Sequence, residues 1–528
     1  MVYKVLATDG VEPEGLSVLA DAPDVELDIR PKLTAEELME VIPEYDALIV
    51  RSATKVTKAV IARAKRLKII GRAGVGVDNI DVRAATARGI IVANAPGGNT
   101  IAAAEHTIGM MLALARNIPE ANARMKAGVW DRKSFVGVEL RNKVLGIIGI
   151  GRIGSAVARR AQAMEMEILA YDPYITEERA KELGVRVVSL NTLLGESDFI
   201  TVHIPMSEQN RHLLDKAAFE KMKRGVRIIN CARGGIVDEH ALYAALKEGR
   251  VAGAALDVFE QEPLTGSPLF SFPNVVVTPH LGASTLEAQL GVAEVVAEEI
   301  LVALRGGFVR NAVNVPFVGP EVLAEIGPFV GLAEKLGRFA AQLVSGRINL
   351  IETSFSGEIA RHDVSLLTTA VVKGVLSLAL HEAVNFVNAN EVAKSRGIRV
   401  IETRQQQEEE YVSLVVVRVV APEGERMLAG TLHRGKEPRL VSIDGYRVDA
   451  VPEGHMLFIP HMDRPRIIGR VGTLIGAHDI NIAAMQVGRK EIGGPAVMLL
   501  SVDSPVPEET LKEIAKVDGI MGVKMVSL

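Results

Sequence analysis

Three polar residues follow apolar stretches in the middle of the chain, and their types complement one another. Arg233 follows VRIINCA, Glu262 lies just past GAALDVF within EQEP, and His280 ends VVVTP. Histidine titrates nearest neutral pH and can take or return a proton. A carboxylate beside it fixes the ring and stabilises the imidazolium, while an arginine's planar fork grips a carboxylate or polarises a carbonyl. Each residue alone has a plain alternative: Arg233 at a surface turn, Glu262 in a loop beside Pro263, His280 capping a strand. At successive strand ends they read as one acid–base set.

A second pattern names what such a set would act with. KVLGIIGIGRIGSAVARRAQAMEMEILAYDP contains Gly149-x-Gly151-x-x-Gly154, between an apolar strand and a helix, and a second strand then ends at Asp172. The chain has 48 glycines, so the spacing alone is weak. The flanking elements make it a dinucleotide fingerprint: a tight turn, close approach to a pyrophosphate, and close helix–strand packing. The helix start at Arg152 and Ile153 offers unpaired N–H groups to the phosphates. Asp172 would accept ribose hydroxyls and repel a 2′-phosphate, so NAD is expected rather than NADP.

These groups need a scaffold of parallel strands, and the first 305 residues supply the pattern for two. YKVLATD, VELDIR, DALIV, LKIIGRAG and IIVANAP form one series of apolar strands, alternating with helical stretches such as TAEELMEVI and VTKAVIARAKR. A long helical pattern runs from Thr100 through AAAEHTIGMMLALARNIPEANARM, and a second series then leads to VVVTPH. Such alternation implies parallel βαβ units. Pro, Asn and Gly collect in GGFVRNAVNVPFVGPE (306–321), which reads as a boundary. The block to about 453 mixes long helical patterns, including LLTTAVVKGVLSLALHEAVNFVNANEVAKSRG, with the strands YVSLVVVRVV and RLVSIDGYRVDAV; RQQQEEEY (404–411) reads as an exposed turn or helix edge. The last stretch reads as βαββαβ, a ferredoxin-like unit.

Composition excludes several classes. The 528 residues carry a net charge of −5, with both signs interspersed and no basic stripe, so nucleic acid is not an expected partner. No apolar run is long enough for a membrane span, and MVYKVLATDG lacks the form of a signal peptide, so a cytoplasmic protein is expected. The single cysteine, Cys231, excludes an intramolecular disulfide and a Cys-based metal cluster, and no metal is expected. It reads as a small packing residue, not a nucleophile.

GIGRIG, NCARGGIVDE (230–239), ALDVFEQEP (255–263) and TPHLGAST (278–285) resemble the signature blocks of the NAD-dependent D-2-hydroxyacid dehydrogenases. With VRSATKVT (50–57), RAGVGVDNID (72–81), NAVNVP (311–316) and the C-terminal unit, the likeness spans the whole chain. It is greatest to the long, ACT-bearing branch that acts on phosphoglycerate. The resemblance implies an α/β protein with two Rossmann-like doubly wound parallel-sheet domains, then an α+β intervening domain and a ferredoxin-like ACT domain. Residues 1–98 plus 285–316 would bind substrate, 99–284 NAD, with 317–453 intervening and 454–528 the ACT domain.

The family's catalytic set falls on Arg233, Glu262 and His280. Its cofactor pocket falls on Val75, Gly149, Gly151, Arg152, Ile153, Gly154, Asp172, Ile204, Cys231, Ala232, Arg233, Asp257, His280 and Gly282. Val75 and Ile204 stand where relatives often have threonine, which removes any side-chain hydrogen bond there. Pro279 should fix the chain's approach, and Gly282 should let the backbone pass close to nicotinamide. The resemblance further implies substrate contacts from Arg51, Arg72 and Asn99, and from Arg132 reaching a neighbouring subunit's site. It places an effector such as serine on Asp463 and Asn481. The implied reaction is NAD-dependent oxidation of 3-phospho-D-glycerate to 3-phosphohydroxypyruvate, the first step of L-serine biosynthesis, in a homotetramer built as a dimer of dimers and restrained by serine. Two other readings stay open on the sequence: another 2-hydroxyacid dehydrogenase, such as a hydroxypyruvate or glyoxylate reductase, and an NAD-sensing scaffold on the same fold.

Overall fold

Strands β1 (Tyr3–Ala7), β2 (Val25–Ile29), β3 (Ala47–Val50), β4 (Ile69–Arg72) and β5 (Ile91–Asn94) pair in parallel in the order β2-β1-β3-β4-β5. This is the doubly wound order whose direction reverses between β1 and β3. The computed structural model describes residues 2–316, 319–377, 384–405 and 410–528. One face of the first sheet is covered by the helix Leu286–Leu304, whose Val292, Ala293, Val296, Ala297 and Ile300 are buried against it. Gly71 in β4 makes that approach possible, because a side chain there would overlap Val296.

The second sheet comprises β6 (Val144–Ile148), β7 (Glu167–Tyr171), β8 (Arg186–Val187), β9 (Phe199–Val202), β10 (Val226–Asn230), β11 (Val251–Leu256) and β12 (Val275–Val277). Its order, β12-β11-β10-β9-β6-β7-β8, is the Rossmann order, with the reversal between β6 and β9. Strands such as Phe199–Val202 are buried throughout, as expected of a sheet covered on both faces. The helices Thr100–Ala115 and Arg152–Ala163 pack together on one face through Ala104, Ile108, Met111, Val157 and Ala161. Both parallel sheets of the expected fold class are thus present.

The long helical pattern after Thr100 is two helices rather than one. The chain breaks at Asn117, which is left-handed with φ 53°, and restarts as Ile118–Lys126 with Pro119 in its first turn. A left-handed residue interrupts the hydrogen-bond ladder, and proline has no N–H to continue it.

The third sheet is mixed: β13 (Leu350–Gly357), β14 (Arg399–Gln405), β15 (Ser413–Ala421), β16 (Gly424–His433), β17 (Glu437–Ile443) and β18 (Tyr446–Ala450), in the order β14-β13-β15-β16-β17-β18. Strands β13, β14 and β16 go beyond the two strand segments read from the sequence. RLVSIDGYRVDAV is a hairpin, β17–β18, turning on Asp444 and Gly445, both at positive φ. Helices Pro320–Leu343 and Ser365–Leu376 cross tightly: a side chain at Gly337 or Gly374 would overlap the other helix's backbone. The long helical pattern beginning at Leu366 yields Ser365–Leu376 and Ala389–Ser395, with 378–383 between them outside the described residues. Of RQQQEEEY, Arg404 and Gln405 end β14 and 406–409 lie outside the described residues, as do 317–318 of the boundary stretch.

The last sheet, β19 (His455–Met462), β20 (Ile482–Arg489), β21 (Pro495–Val502) and β22 (Lys524–Ser527), has the order β20-β21-β19-β22 and is antiparallel throughout. With helices Ile467–Ala477 and Glu508–Ala515 it forms the expected βαββαβ unit. It is tied at both edges to the unit before it, to the helix Pro320–Leu343 on one side and the β17–β18 turn on the other. Lys524 Nζ donates to the carbonyl of Leu343, and Lys490 Nζ to that of Asp444. Among the described residues no helix is long and apolar enough to cross a membrane.

Candidate active site

In open parallel sheets ligands bind beyond the carboxyl ends of the strands, and the candidate residues collect there. After β6 the chain turns at Gly149, with φ 90°, where any side chain would run into the His203 carbonyl and Ile204. A side chain at Gly154 would overlap the Gly149 carbonyl, so the helix presses directly against the strand end. At Gly151, the helix cap, a side chain would instead project into open space. Close packing on one side with room on the other is what a pyrophosphate over a helix N-terminus requires. Arg152 is exposed and Ile153 half-buried just inside the helix. Asp172, after β7, accepts from the N–H groups of Ile150 (3.0 Å) and Tyr174 (2.9 Å), so it braces the turn. The Val75 carbonyl accepts from Asn94 Nδ2, and its side chain is half-buried.

The catalytic candidates stand after the adjacent strands β10, β11 and β12. His280 Nδ1 and Glu262 Oε2 are 2.7 Å apart, and Glu262 Oε1 accepts from the Phe259 N–H at 3.0 Å. Burial pushes the Glu262 carboxyl up, but the His280 ring and the Phe259 N–H outweigh it, holding the carboxyl below its ordinary value. With Nδ1 engaged, His280 keeps Nε2 for a reacting group, and its side chain is 45% exposed, open to one. His280 itself is left-handed, with φ 57°. A non-glycine residue holds that conformation only where its surroundings enforce it. Its N–H donates to the Asp257 carbonyl at 2.8 Å.

Asp257 is fully buried and organises the loop beyond. Its carboxylate accepts from the Thr278 hydroxyl (2.6 Å), the Leu281 N–H (2.7 Å) and the Gly282 N–H (2.8 Å). Glycine at 282 is tied first to this contact: a Cβ there would lie 3.2 Å from Asp257 Oδ2.

Cations from both parallel sheets face the same cleft. Arg233 Nε donates to Asp78 Oδ2 at 3.1 Å and its Nη1 to the Ala232 carbonyl at 2.7 Å, while the Ala232 N–H donates to Asn230. Arg72, at the end of β4, is pushed down to about 10 by burial first and then by the nearby charges of Arg233 and Arg51. It remains a cation at neutral pH, and its buried Nε has no hydrogen-bond partner among the described residues. Arg51 follows β3 at the reversal point of the first sheet, its N–H bound to Asp9 at 2.8 Å and its Nη1 to Gln289 at 3.4 Å. The buried Oδ1 of Asn99 also lacks a partner. Neighbouring guanidiniums with an unpaired donor on Arg72 suit an anion, whereas the Asn99 oxygen is an acceptor and would take a donor instead. Asp9, Asp78 and Gln289 were not singled out by sequence. Asp9 ends the first strand as Arg51 ends the third, and that position was the available signal.

Comparison with known proteins decides the lineage. Residues 108–282 match the family model of the D-isomer specific 2-hydroxyacid dehydrogenase NAD binding domain, 325–444 the D-3-phosphoglycerate dehydrogenase intervening domain, and 455–519 the ACT domain. A D-3-phosphoglycerate dehydrogenase of Synechocystis is 48% identical over 99% of this chain and 95% of its own. One from Methanocaldococcus jannaschii is 47% identical over 100% of both. The chain belongs to the D-3-phosphoglycerate dehydrogenase family. Among solved structures, D-lactate dehydrogenase from Aquifex aeolicus, complexed with NAD and lactic acid, is 30% identical with a TM-score of 0.52, covering 59% of this chain and 99% of that one. The protein is accordingly an NAD-dependent dehydrogenase of the 2-hydroxyacid type.

Other candidates in this family member stand apart from the cleft cluster. Arg132 is exposed in the segment after Ile118–Lys126, between Trp130 (77% exposed) and Val136 (82%). In the ACT unit Asp463 Oδ2 accepts from Arg489 (2.9 Å) and the Gly493 N–H (3.3 Å), and Asn481 Nδ2 donates to Asp503 (2.7 Å). Hydrogen bonds from Arg489 and Gly493 hold the Asp463 carboxyl below its usual range. The two residues share none of these bonds. Cys231 is pushed up to about 12, by burial first and then by the Asp257 charge. At pH 8 it is therefore a thiol, and the folded protein should resist iodoacetamide while the denatured chain takes up one equivalent per chain; intact mass reads both.

Proposed function

We propose that the protein oxidises 3-phospho-D-glycerate at its 2-hydroxyl to 3-phosphohydroxypyruvate with NAD, opening L-serine synthesis, and that serine acts back through the ACT unit. The observation that carries this reading is the convergence of Arg51, Arg72 and Arg233, the last of which follows β10, the strand next to those that lead to Glu262 and His280. A small unphosphorylated hydroxy acid needs one cation for its carboxylate; a phosphorylated one carries a second anionic group. NAD, when bound, supplies the nicotinamide that accepts the hydride.

The chain's own residues do the rest. Arg233 exchanges Asp78 for the substrate carboxylate and lies near the reacting oxygen. Arg72 and Arg51, with Asn99, take the phosphate. His280 receives the hydroxyl proton at Nε2, and Glu262 stabilises the imidazolium that results. Gly149, Gly151, Gly154, Arg152 and Ile153 hold the pyrophosphate, Asp172 the adenosine ribose, and Val75, Ile204, Cys231, Ala232, Asp257 and Gly282 line the nicotinamide end. These roles fit a division in which residues 1–98 with 285–316 bind substrate and 99–284 bind NAD.

The exposed apolar residues Ile118, Met125, Val129, Trp130 and Val136, all within one short stretch of chain, support pairing with a second copy. That pairing would carry Arg132 toward the partner's cleft. The deciding assay follows NADH formation with 3-phospho-D-glycerate, D-glycerate and D-lactate. We expect kcat/KM for the phosphorylated acid to lead by about 10²-fold or more, as two charge-assisted contacts warrant. Equal turnover of D-glycerate would sink the assignment. For regulation, serine should inhibit the intact chain and not one truncated after residue 453; equal responses remove the ACT unit from control.

A further inference from the structure

Beneath the Glu262–His280 pair lies a second histidine–carboxylate pair. His106, on the Thr100–Ala115 helix, places Nε2 3.1 Å from Thr278 Oγ1 and 3.2 Å from Asp257 Oδ1, with its side chain 21% exposed. We propose that His106 is a positioning residue for the acid–base histidine: through Asp257 and Thr278 it holds the loop that presents His280. The inference rests on the reading of His280 as the proton acceptor.

The donor inventory leaves one consistent arrangement. Thr278 has a single hydroxyl proton, and at 2.6 Å it is directed to Asp257 Oδ1. The Thr278 oxygen is then an acceptor toward His106, so the N–H sits on His106 Nε2 and is shared between Thr278 and Asp257. Asp257 is thereby saturated with donors from three directions: the helix through His106, the end of β12 through Thr278, and the loop through the Leu281 and Gly282 N–H groups. These outweigh the burial that would otherwise push its carboxyl up, and it stays anionic.

Only an anion accepts all four, and the same residue's carbonyl receives the His280 N–H. The left-handed backbone at His280 is enforced by these bonds on both sides of it. Without the His106 N–H, Asp257 loses its tie to the helix and is held only by Thr278, Leu281 and Gly282, so the loop they anchor is less firmly placed. His280 Nε2 would then shift relative to the reacting hydroxyl, and misplacement near 1 Å costs a large rate factor. Among the described residues the side chains of Arg51 and Arg233 bond elsewhere, to Gln289, Asp78 and the Ala232 carbonyl, so substrate capture should not change.

The test uses the full-length protein with NAD and 3-phospho-D-glycerate. His106→Leu should lower kcat by about tenfold or more, with KM for the substrate unchanged within about twofold. His106→Gln, whose amide N–H reaches the same acceptors, should recover most of the loss. Thr278→Val, nearly isosteric, removes the relay without touching the helix and should show the same kcat-only defect even if His106→Leu does not fold. Wild-type kcat in Thr278→Val or in a folded His106→Leu overturns the proposal, as does a loss expressed only in KM. So does a glutamine variant as impaired as the leucine one. His280→Asn, run alongside, separates the two readings. An inactive His280→Asn with unimpaired His106 variants confines the failure to His106, whereas an active His280→Asn removes the proton-acceptor reading and this inference with it.

Discussion

His280→Asn will lower kcat for 3-phospho-D-glycerate oxidation by about 10²–10⁴-fold, the range that a positioned general base contributes. Asparagine is the sharper substitution here. The residue sits at φ 57°, which Asn tolerates far better than other side chains lacking a ring, so the loop keeps its course while the base disappears. His280→Ala should be at least as inactive, but part of its loss would come from the backbone. Binding of NAD, read by the fluorescence of added NADH, should largely persist in His280→Asn because the substitution leaves the glycine turn after β6 and Asp172 intact. Turnover within tenfold of wild type would remove His280 from proton transfer.

Glu262 gives the companion pH expectation. Its carboxyl lies below the ordinary 4.5, so it is ionised wherever the enzyme works. The stabilisation it lends is complete above the unfolded value and is lost only as pH falls through the lower folded one. Loss of fold stability traced to the Glu262 carboxylate should therefore begin only below pH 4.5, read as the acid limb of Tm against pH.

What the sequence made legible follows from the range of the interactions involved. The glycine turn and Asp172 lie within one βαβ unit, so spacing along the chain mirrors spacing in the fold. Arg233, Glu262 and His280 end strands that are both successive and adjacent, β10, β11 and β12, so reading strand ends in order already set them side by side. Asp78 is different. It meets Arg233 across 155 residues, and nothing local to either marks the pair. His106 is hidden for the same reason: it reaches Thr278 across 172 residues from a helix whose pattern reads as core. The break at Asn117 was written in Asn-Ile-Pro, but apolar periodicity on both sides masked it. Strands β13 and β14 pair in parallel around an intervening helical stretch; β13 alternates, but one of its inward positions is Thr353 rather than an apolar residue, which thins the signal, and β14 lacks a clean alternation.

Arg72→Gln should raise KM for 3-phospho-D-glycerate by about 10–10²-fold, the equivalent of losing one or two charge-assisted hydrogen bonds. The argument starts from the free protein. Arg72 is mostly buried, its Nε has no partner, and Arg233 and Arg51 stand close enough to disfavour its charge. Such an arrangement costs the unliganded fold stability, since a buried charge without a matched partner is destabilising. In the proposed reading the substrate phosphate would pair with Arg72 and Arg51 and its carboxylate with Arg233, so binding would supply the partner that the Arg72 charge lacks. Glutamine removes the charge but keeps donors and most of the volume. The free variant should therefore melt no lower than wild type, while the rise in Tm that wild type gains from added 3-phospho-D-glycerate should shrink sharply. Arg72→Lys should not restore KM, because an ammonium has neither the fork nor the weak hydration of a guanidinium. A variant that melts several degrees lower with KM untouched would make Arg72 a structural residue and shift the phosphate to Arg51 alone.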